Sequence, residues 1–571
     1  MGWKMGWYRI LSVTTGVSLL IPATAVGADQ AAGATTEVRD WNKGGSAVFT
    51  HTPPFPWDKP GVSSPVLHPG TPAAAGMSEA SLEAMDPYLE QAVQDKVMPG
   101  AVVLIARKGQ IVKHQAYGNA LQYKDDQYSP VDQPIPMEKA TIFDVASISK
   151  IFTTTAAMKL YEEGKFQLDD PVAKYIPEFA ANGKEEVTIR QLMTHTSGFE
   201  PFIPLWKEEG NREDRLQAVF AHPLKSPPGT TYVYSDLNMI TLGALVEKLS
   251  GMRQDAYVKK AITEPLGMKD TMYNPPASLK PRIAATEYQP WTERGLVWGE
   301  VHDENAASLD GVAGHAGVFS TAHDLAVFAH TMLNKGKYGN THILKPETVE
   351  LMEKNQTADF PGDEHGLGWE LKQGWFMDAL SDIRSMGHTG FTGTSIVINR
   401  NNGVMAILLT NRVHPTRKTV STNPARRQVA RLTADAIPVA IPGDGKAWFA
   451  GYGDNLDRSL VTELDGFKGP LTLTFETWYR TDGDTDYGVV EVSENGYDWK
   501  AVSDPYTESS EGWKKLTLSL PEGARFIRFR YHTDDYANGR GWYVHKPELK
   551  TADGQQVNAE WSGVGWEMRD R

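Results

Sequence analysis

Apolar positions recur at helical spacing along most of the chain and alternate with period two near its end. From Glu79 to Val97, Leu82, Met85, Leu89, Ala92 and Val93 fall on one helical face. Gly100 to Gly118 places an apolar run on each side of Arg107-Lys108-Gly109, which predicts a hairpin. Ser147 to Glu163 predicts a helix with Ile151, Thr155, Met158 and Leu160 inward and Gly164 placed to end it. Helical spacing returns at Met239 to Leu249 and Ala322 to Leu333, and Ser395 to Leu409 reads as two strands about Asn401-Asn402-Gly403. This order predicts an α+β unit over 67–438, with helices packed on an antiparallel sheet.

The texture then changes. Ile437 to Lys446 reads Ile-Pro-Val-Ala-Ile-Pro-Gly-Asp-Gly-Lys, and 439–446 is expected to be a linker. Beyond it Leu471, Leu473 and Phe475, then Val490 and Val492, then Leu516, Leu518 and Leu520, then Phe526 to Tyr531 alternate, with turns at Glu494-Asn495-Gly496 and Asn538-Gly539. Period two at regular spacing predicts an all-β sandwich over 447–571.

The other end is different again. Lys4 and Arg9 precede an apolar, small-residue run from Ile10 to Val26, and Ala25-Val26-Gly27-Ala28 offers cleavage sites, so 1–28 is expected to be a secretory signal peptide. Pro22 interrupts the run and no later stretch is apolar enough to span a bilayer, so no transmembrane anchor is expected once it is removed. Residues 29–66, with Pro53-Pro54-Phe55-Pro56 and Lys59-Pro60-Gly61, read as a linker or surface arm. A secreted or cell-wall-associated location follows.

Composition narrows the chemistry. Cysteine is absent from the 571 residues, which removes disulfides, thiol catalysis and thiolate metal sites. The net charge of −14 becomes −16 without Lys4 and Arg9, which argues against nucleic acid or anionic lipid as partner.

Three motifs stand out in order: Ser147-Ile148-Ser149-Lys150, Tyr234-Ser235-Asp236 and His388-Thr389-Gly390. At i and i+3 on a helix, Ser147 and Lys150 share a face, so an amine can take the hydroxyl proton of a serine nucleophile. Burial is expected to lower the Lys150 pKa towards the working range. Tyr234 is the second proton carrier, and His388 is expected to fix a substrate carboxylate or steer protons. The backbone N–H groups of Ser147 and Phe391 are the expected oxyanion hole. No G-x-S-x-G elbow, P-loop or H-E-x-x-H pattern competes, and neither metal nor cofactor is expected.

In order and spacing these motifs resemble those of the serine β-lactamase and penicillin-binding superfamily, in the branch of class C β-lactamases, DD-peptidases and related esterases. Phe143-Asp144-Val145-Ala146, Leu168-Asp169-Asp170-Pro171-Val172, Leu192 to Gly198 and Pro227-Pro228-Gly229 agree, over about Leu67 to Pro438. The resemblance implies a β-lactamase/transpeptidase-like fold and an acyl-enzyme on Ser147. Two departures matter: Asp236 stands where the family usually has Asn, and His388 where β-lactamases usually have Lys. An ionised carboxylate cannot donate to a substrate carbonyl as an amide does, so Asp236 is expected to anchor Lys150 or contact substrate differently. His388-Thr389-Gly390 points to peptidases rather than to a dedicated β-lactamase.

His195 and His315 have a structural reading, as hydrogen-bonded buried residues. The preferred reading for His302 and His315, in Val301-His302-Asp303-Glu304-Asn305 and Gly314-His315-Ala316-Gly317, is substrate recognition beside Asp236, Thr389 and Gly390. Those segments are similar to secreted proteins of peptidoglycan recycling, some of which remove peptides from N-acetylmuramic acid. The C-terminal part resembles jelly-roll modules, with Trp478, Trp499 and Trp542 as candidate stacking surfaces for glycan or cell wall. Asp482-Gly483-Asp484-Thr485-Asp486 alternates carboxylates as calcium loops do, but lacks the glycine and distal Glu of an EF-hand. The expected function is a secreted serine hydrolase that cleaves an amide in peptidoglycan fragments, as a muramoyl-peptide amidase or a D-Ala-D-Ala carboxypeptidase. The alternatives are an esterase or β-lactamase on the same scaffold, and a non-catalytic cell-wall or penicillin-binding protein.

Overall fold

Strand β1 (Gly100–Arg107) is buried along its whole length and runs antiparallel to β2 (Gln110–Tyr123) across Lys108 and Gly109. Both turn residues have positive φ, +53° and +85°, as a tight two-residue hairpin requires. Three strands from far along the chain, β3 (Ser385–Thr389), β4 (Ser395–Asn399) and β5 (Val404–Thr410), complete the centre of the sheet. The order is His68–Pro69, β2, β1, β5, β4, β3, Glu370–Leu371, antiparallel except at the first pair. The computed structural model describes residues 62–464, 469–483 and 485–571; the expected leader and most of the arm lie outside them.

Alternation along these strands divides the core in two. Val102, Leu104, Met405 and Ile407 pack with helices α1 (Ser149–Glu162) and α2 (Asp236–Ser250) and with Ala322–Leu333. Val103, Ile105, Ala406 and Leu408 pack on the other face with Met85–Gln94 and α3 (Asn423–Ala436). The single helix expected over Glu79 to Val97 is instead two, Glu79–Glu83 and Met85–Gln94, broken at Ala84. Pro87 has no N–H to donate back to Glu83, so it fits only in the first turn of a new helix.

The C-terminal strands form two facing sheets. Lys514–Leu520, Leu471–Arg480, Gly541–Thr551, Ala447–Phe449 and Glu567–Arg569 lie in one; Asp457–Glu463, Phe526–His532, Tyr487–Ser493 and Lys500–Ala501 lie in the other. Leu473, Phe475, Val490, Phe529 and Trp542 meet between them. Trp478 and Tyr543 point the other way and enter the same apolar cluster as Ala434, Ile437 and Val429 of the preceding unit. The two parts therefore share a core.

That arrangement corrects the stacking-surface reading for Trp478 and Trp542. Trp478 and Trp542 are 2% and 0% exposed, and Trp499 is half-buried with the Arg528 guanidinium 4.1 Å above its ring. Of the acidic run, Asp484 lies outside the described residues, while Asp486 is buried and accepts the Asp534 N–H at 3.0 Å. No described helix is long and apolar enough to cross a membrane.

Candidate active site

Ser147 sits in the 3-10 turn Ala146–Ile148 that leads into α1. Ala146 is in the left-handed region, φ +47°, where a side chain is strained. Asp144 holds that bend by accepting the Ala146 N–H at 2.8 Å. Ser147 is partly exposed, while Lys150, one turn along, is buried.

Three acceptors surround the Lys150 ammonium. Ser147 Oγ lies at 2.9 Å, the His315 carbonyl at 3.2 Å and Asp236 Oδ1 at 2.8 Å, the last as an ion-pair contact rather than an aligned hydrogen bond. The Tyr234 ring centroid is 4.8 Å away. Burial disfavours the charge, but Asp236 and Tyr234 outweigh it, and the lysine is held above its usual range. This corrects the expectation of a lowered lysine pKa: burial came with a carboxylate partner. Burial also pushes the Tyr234 phenol up to about 12, partly offset by Lys150.

Asp236 is the first residue of α2, following Ser235. Asn238 does not take its place: it is fully buried, donates to His195 Nδ1 at 3.3 Å and accepts the Ser197 hydroxyl proton at 2.5 Å. His195 Nδ1 also accepts the Ser235 N–H at 3.1 Å, and its ring packs 4.6 Å from that of Tyr234. His195 thus props up the tyrosine from behind.

His388 lies at the end of β3, 1% exposed, with Nδ1 2.8 Å from the Thr389 carbonyl. A carbonyl only accepts, so Nδ1 carries the proton and Nε2, which has no partner among the described residues, is an acceptor. Burial and Lys150 push its pKa down to about 3. With Nδ1 taken by that carbonyl, Nε2 is the nitrogen left to meet a substrate or to take part in proton transfer. Thr389 is partly exposed beside it.

Gly390 is required by close approach. A Cβ there would lie 2.4 Å from the Val145 carbonyl and 2.2 Å from Thr394 Oγ1. The loop 390–394 is tied to the strand before Ser147 by Thr392 Oγ1 donating to Asp144 O at 2.8 Å and Thr394 Oγ1 donating to Val145 O at 3.2 Å. Phe391 rides on this loop, 53% exposed, its ring 5.6 Å from that of His302.

His302 and His315 are in a supporting layer, not on the substrate side as expected. His302 is 3% exposed, with Nε2 2.9 Å from Glu287, and its N–H goes to Asp144 at 2.6 Å. His315 is 1% exposed, with Nε2 2.8 Å from Asp303. Both rings carry a carboxylate partner that holds them in the wall. Asp236, Asp303 and His315 also bring ligand-type atoms within 4.8 Å of one another. A cation there would have to displace the Lys150 ammonium from Asp236, so the set reads as an ion-pair network around the lysine.

Three residues of the site carry no motif in the sequence. Glu370, on the short strand beside β3, has burial as its main perturbation and is pushed up to about 7. His365 packs 5.1 Å from His195, and Arg426 reaches loop 390–394 from α3. Arg426 comes from α3, while His365 and Glu370 face each other across one tight turn.

The beta-lactamase family model matches residues 85–431. A protein of Escherichia coli (strain K12) named "Putative D-alanyl-D-alanine carboxypeptidase" is 36% identical over 381 residues, covering 61% of this chain and 86% of that protein. One of the same name from Salmonella agona (strain SL483) is 33% identical over 384 residues, covering 62% and 88%. In fold, the chain is similar to a penicillin-binding protein homolog from Caulobacter crescentus, with a TM-score of 0.50, 20% identity, and 62% and 97% of the two chains covered. With Ser147, Lys150, Tyr234 and His388-Thr389-Gly390 brought together on this fold, the chain belongs to the serine β-lactamase and penicillin-binding superfamily and is a serine hydrolase of that family.

Proposed function

We propose that this protein is exported and cleaves an amide bond in peptidoglycan-derived peptides through an acyl-enzyme on Ser147. The contact of Lys150 Nζ with Ser147 Oγ at 2.9 Å carries the reading. Ser147 Oγ attacks the carbonyl carbon as its proton passes to Tyr234 in its phenolate form, beside the Lys150 ammonium. The N–H groups of Ser147 and Phe391 receive the oxyanion, and Tyr234 returns the proton to the leaving amine. Water then hydrolyses the ester by the same path. Burial holds the Tyr234 phenol protonated and the Lys150 ammonium offsets part of that, so Tyr234 carries the proton and Lys150 lowers the cost of its phenolate.

Relatives named as D-alanyl-D-alanine carboxypeptidases support release of a terminal D-Ala. The unpartnered Nε2 of His388, an acceptor while Nδ1 donates to the Thr389 carbonyl, favours a second reading, an amidase whose substrate presents an N–H rather than a terminal carboxylate at this position. Mass spectrometry of the wild type and Ser147→Ala after incubation with a D-Ala-D-Ala peptide and with an N-acetylmuramoyl peptide tests both. Ser147-dependent loss of D-Ala supports the carboxypeptidase and loss of the whole peptide supports the amidase; no product and no acyl adduct would overturn both.

A further inference from the structure

Helix α3 faces two ways. Arg427, Arg431 and Asp435 recur every fourth residue and form one stripe. Arg431 Nη2 lies 2.8 Å from Asp378 and 2.9 Å from Asp454, which belongs to the C-terminal part, and Arg427 Nη2 reaches the same Asp454 oxygen at 2.6 Å. Asp435 pairs with Arg569, near the end of the chain, at 2.5 Å. Arg426 leaves this stripe for the active site. It is 9% exposed, and its Nη2 donates to the carbonyls of Gly390 at 2.8 Å and Thr394 at 3.0 Å.

Those carbonyls bracket Phe391, whose N–H is the second oxyanion donor in the proposed mechanism. On one side, Thr392 and Thr394 tie the loop to the Ser147 strand; on the other, a buried guanidinium fixes it. A charged planar donor holding two carbonyls sets the angle of the peptide between them more firmly than water would. A donor misplaced by an ångström loses much of its transition-state stabilisation.

We propose that Arg426 is a positioning residue for the oxyanion loop and that the C-terminal sandwich, through Asp454, holds α3 so that Arg426 stays in place. The sandwich is then a strut of the active site. This rests on the Ser147 acyl-enzyme reading, and the experiment separates the two.

The test uses the full chain with p-nitrophenyl acetate as probe, and penicillin acylation followed by intact mass. Arg426→Met should lower kcat at least tenfold with KM changed less than threefold, and Arg426→Lys should recover part of the loss. Millimolar guanidinium should restore turnover to Arg426→Ala. Asp454→Asn should lower kcat severalfold and add nothing further in the Arg426→Met background. Should Arg426→Met fail to fold, the Lys variant and guanidinium rescue decide. Wild-type kcat in Arg426→Met, or no guanidinium rescue of Arg426→Ala, overturns the positioning role. An Asp454→Asn effect that is absent, or that adds to that of Arg426→Met, overturns the strut. Unchanged turnover in Ser147→Ala instead overturns the acyl-enzyme reading itself.

Discussion

Lys150 and Asp236 form an ion pair 2.8 Å long in which the lysine side chain is 1% exposed and the aspartate 21%. The pair lies where the family usually places a neutral amide, so the charge of the lysine is set by this chain's own substitution. The ammonium charge costs little here because the carboxylate comes with it.

Asp236→Asn should therefore lower the Lys150 pKa. The raised value means the charged lysine contributes stability that, while Asp236 is ionised, is fully present below the ordinary lysine pKa and is lost as pH rises through the folded value. At neutral pH the variant should lose about 3 kcal/mol, the cost of leaving a buried ion without its partner. Any limb of the pH–rate profile that needs neutral Lys150 should move to lower pH. An unmoved profile with unchanged stability would remove Asp236 from this role.

Stability should fall as the solution is acidified below pH 6.5. Burial lowers the folded pKa values of His388 to about 3 and of His365 and His414 to about 4. Unfolding exposes rings that bind a proton near pH 6.5, so each contributes stability that is present above that pH and lost as it falls, about 2 kcal/mol by pH 5. His414 has a plain physical reason: its Nε2 accepts the N–H groups of Gln122 and Tyr123 at 3.1 and 3.0 Å, and a proton there would face two donors. Urea midpoints should drop between pH 7 and pH 5, with a shallower drop in His414→Gln. A flat profile would contradict this.

Gly390→Ala should disable turnover without unfolding the chain. Its methyl would meet the Val145 carbonyl at 2.4 Å, and backbone on one side must move. Since Val145 lies two residues from Ser147, either movement displaces the nucleophile or the loop. A fall in kcat of at least tenfold with a near-native melting curve is expected; full activity would show that the loop tolerates the shift.

Trp478→Ala should act on stability rather than on binding. The side chain is 2% exposed in the cluster shared with α3, so its removal should cost about 3 kcal/mol or more. A glycan-binding assay at a temperature where the variant stays folded should show no difference from wild type. A selective loss of glycan affinity would reinstate it as a binding surface.

Helices and strands with regular apolar spacing were legible in the chain because periodicity reports which face is covered. Ser147 with Lys150 was legible for the same reason, since three residues on a helix fix a distance. Glu370, His365 and Arg426 were not, because no motif marks them and only the fold brings their segments to Ser147. Trp478 and Trp542 misled because residue type and strand pattern do not say that both faces of their sheet are covered.

By itself the sequence determined the order of elements, the change to period two after residue 446 and the identity of the three motifs, since these depend on local spacing and residue chemistry. Only the tertiary structure decided their protonation and duties: Lys150 held charged by Asp236, His388 neutral with an accepting Nε2, and His302 and His315 turned to carboxylates in the wall. The reason is that a pKa or a hydrogen-bond role depends on burial and on partners a few ångströms away, which chain order does not specify.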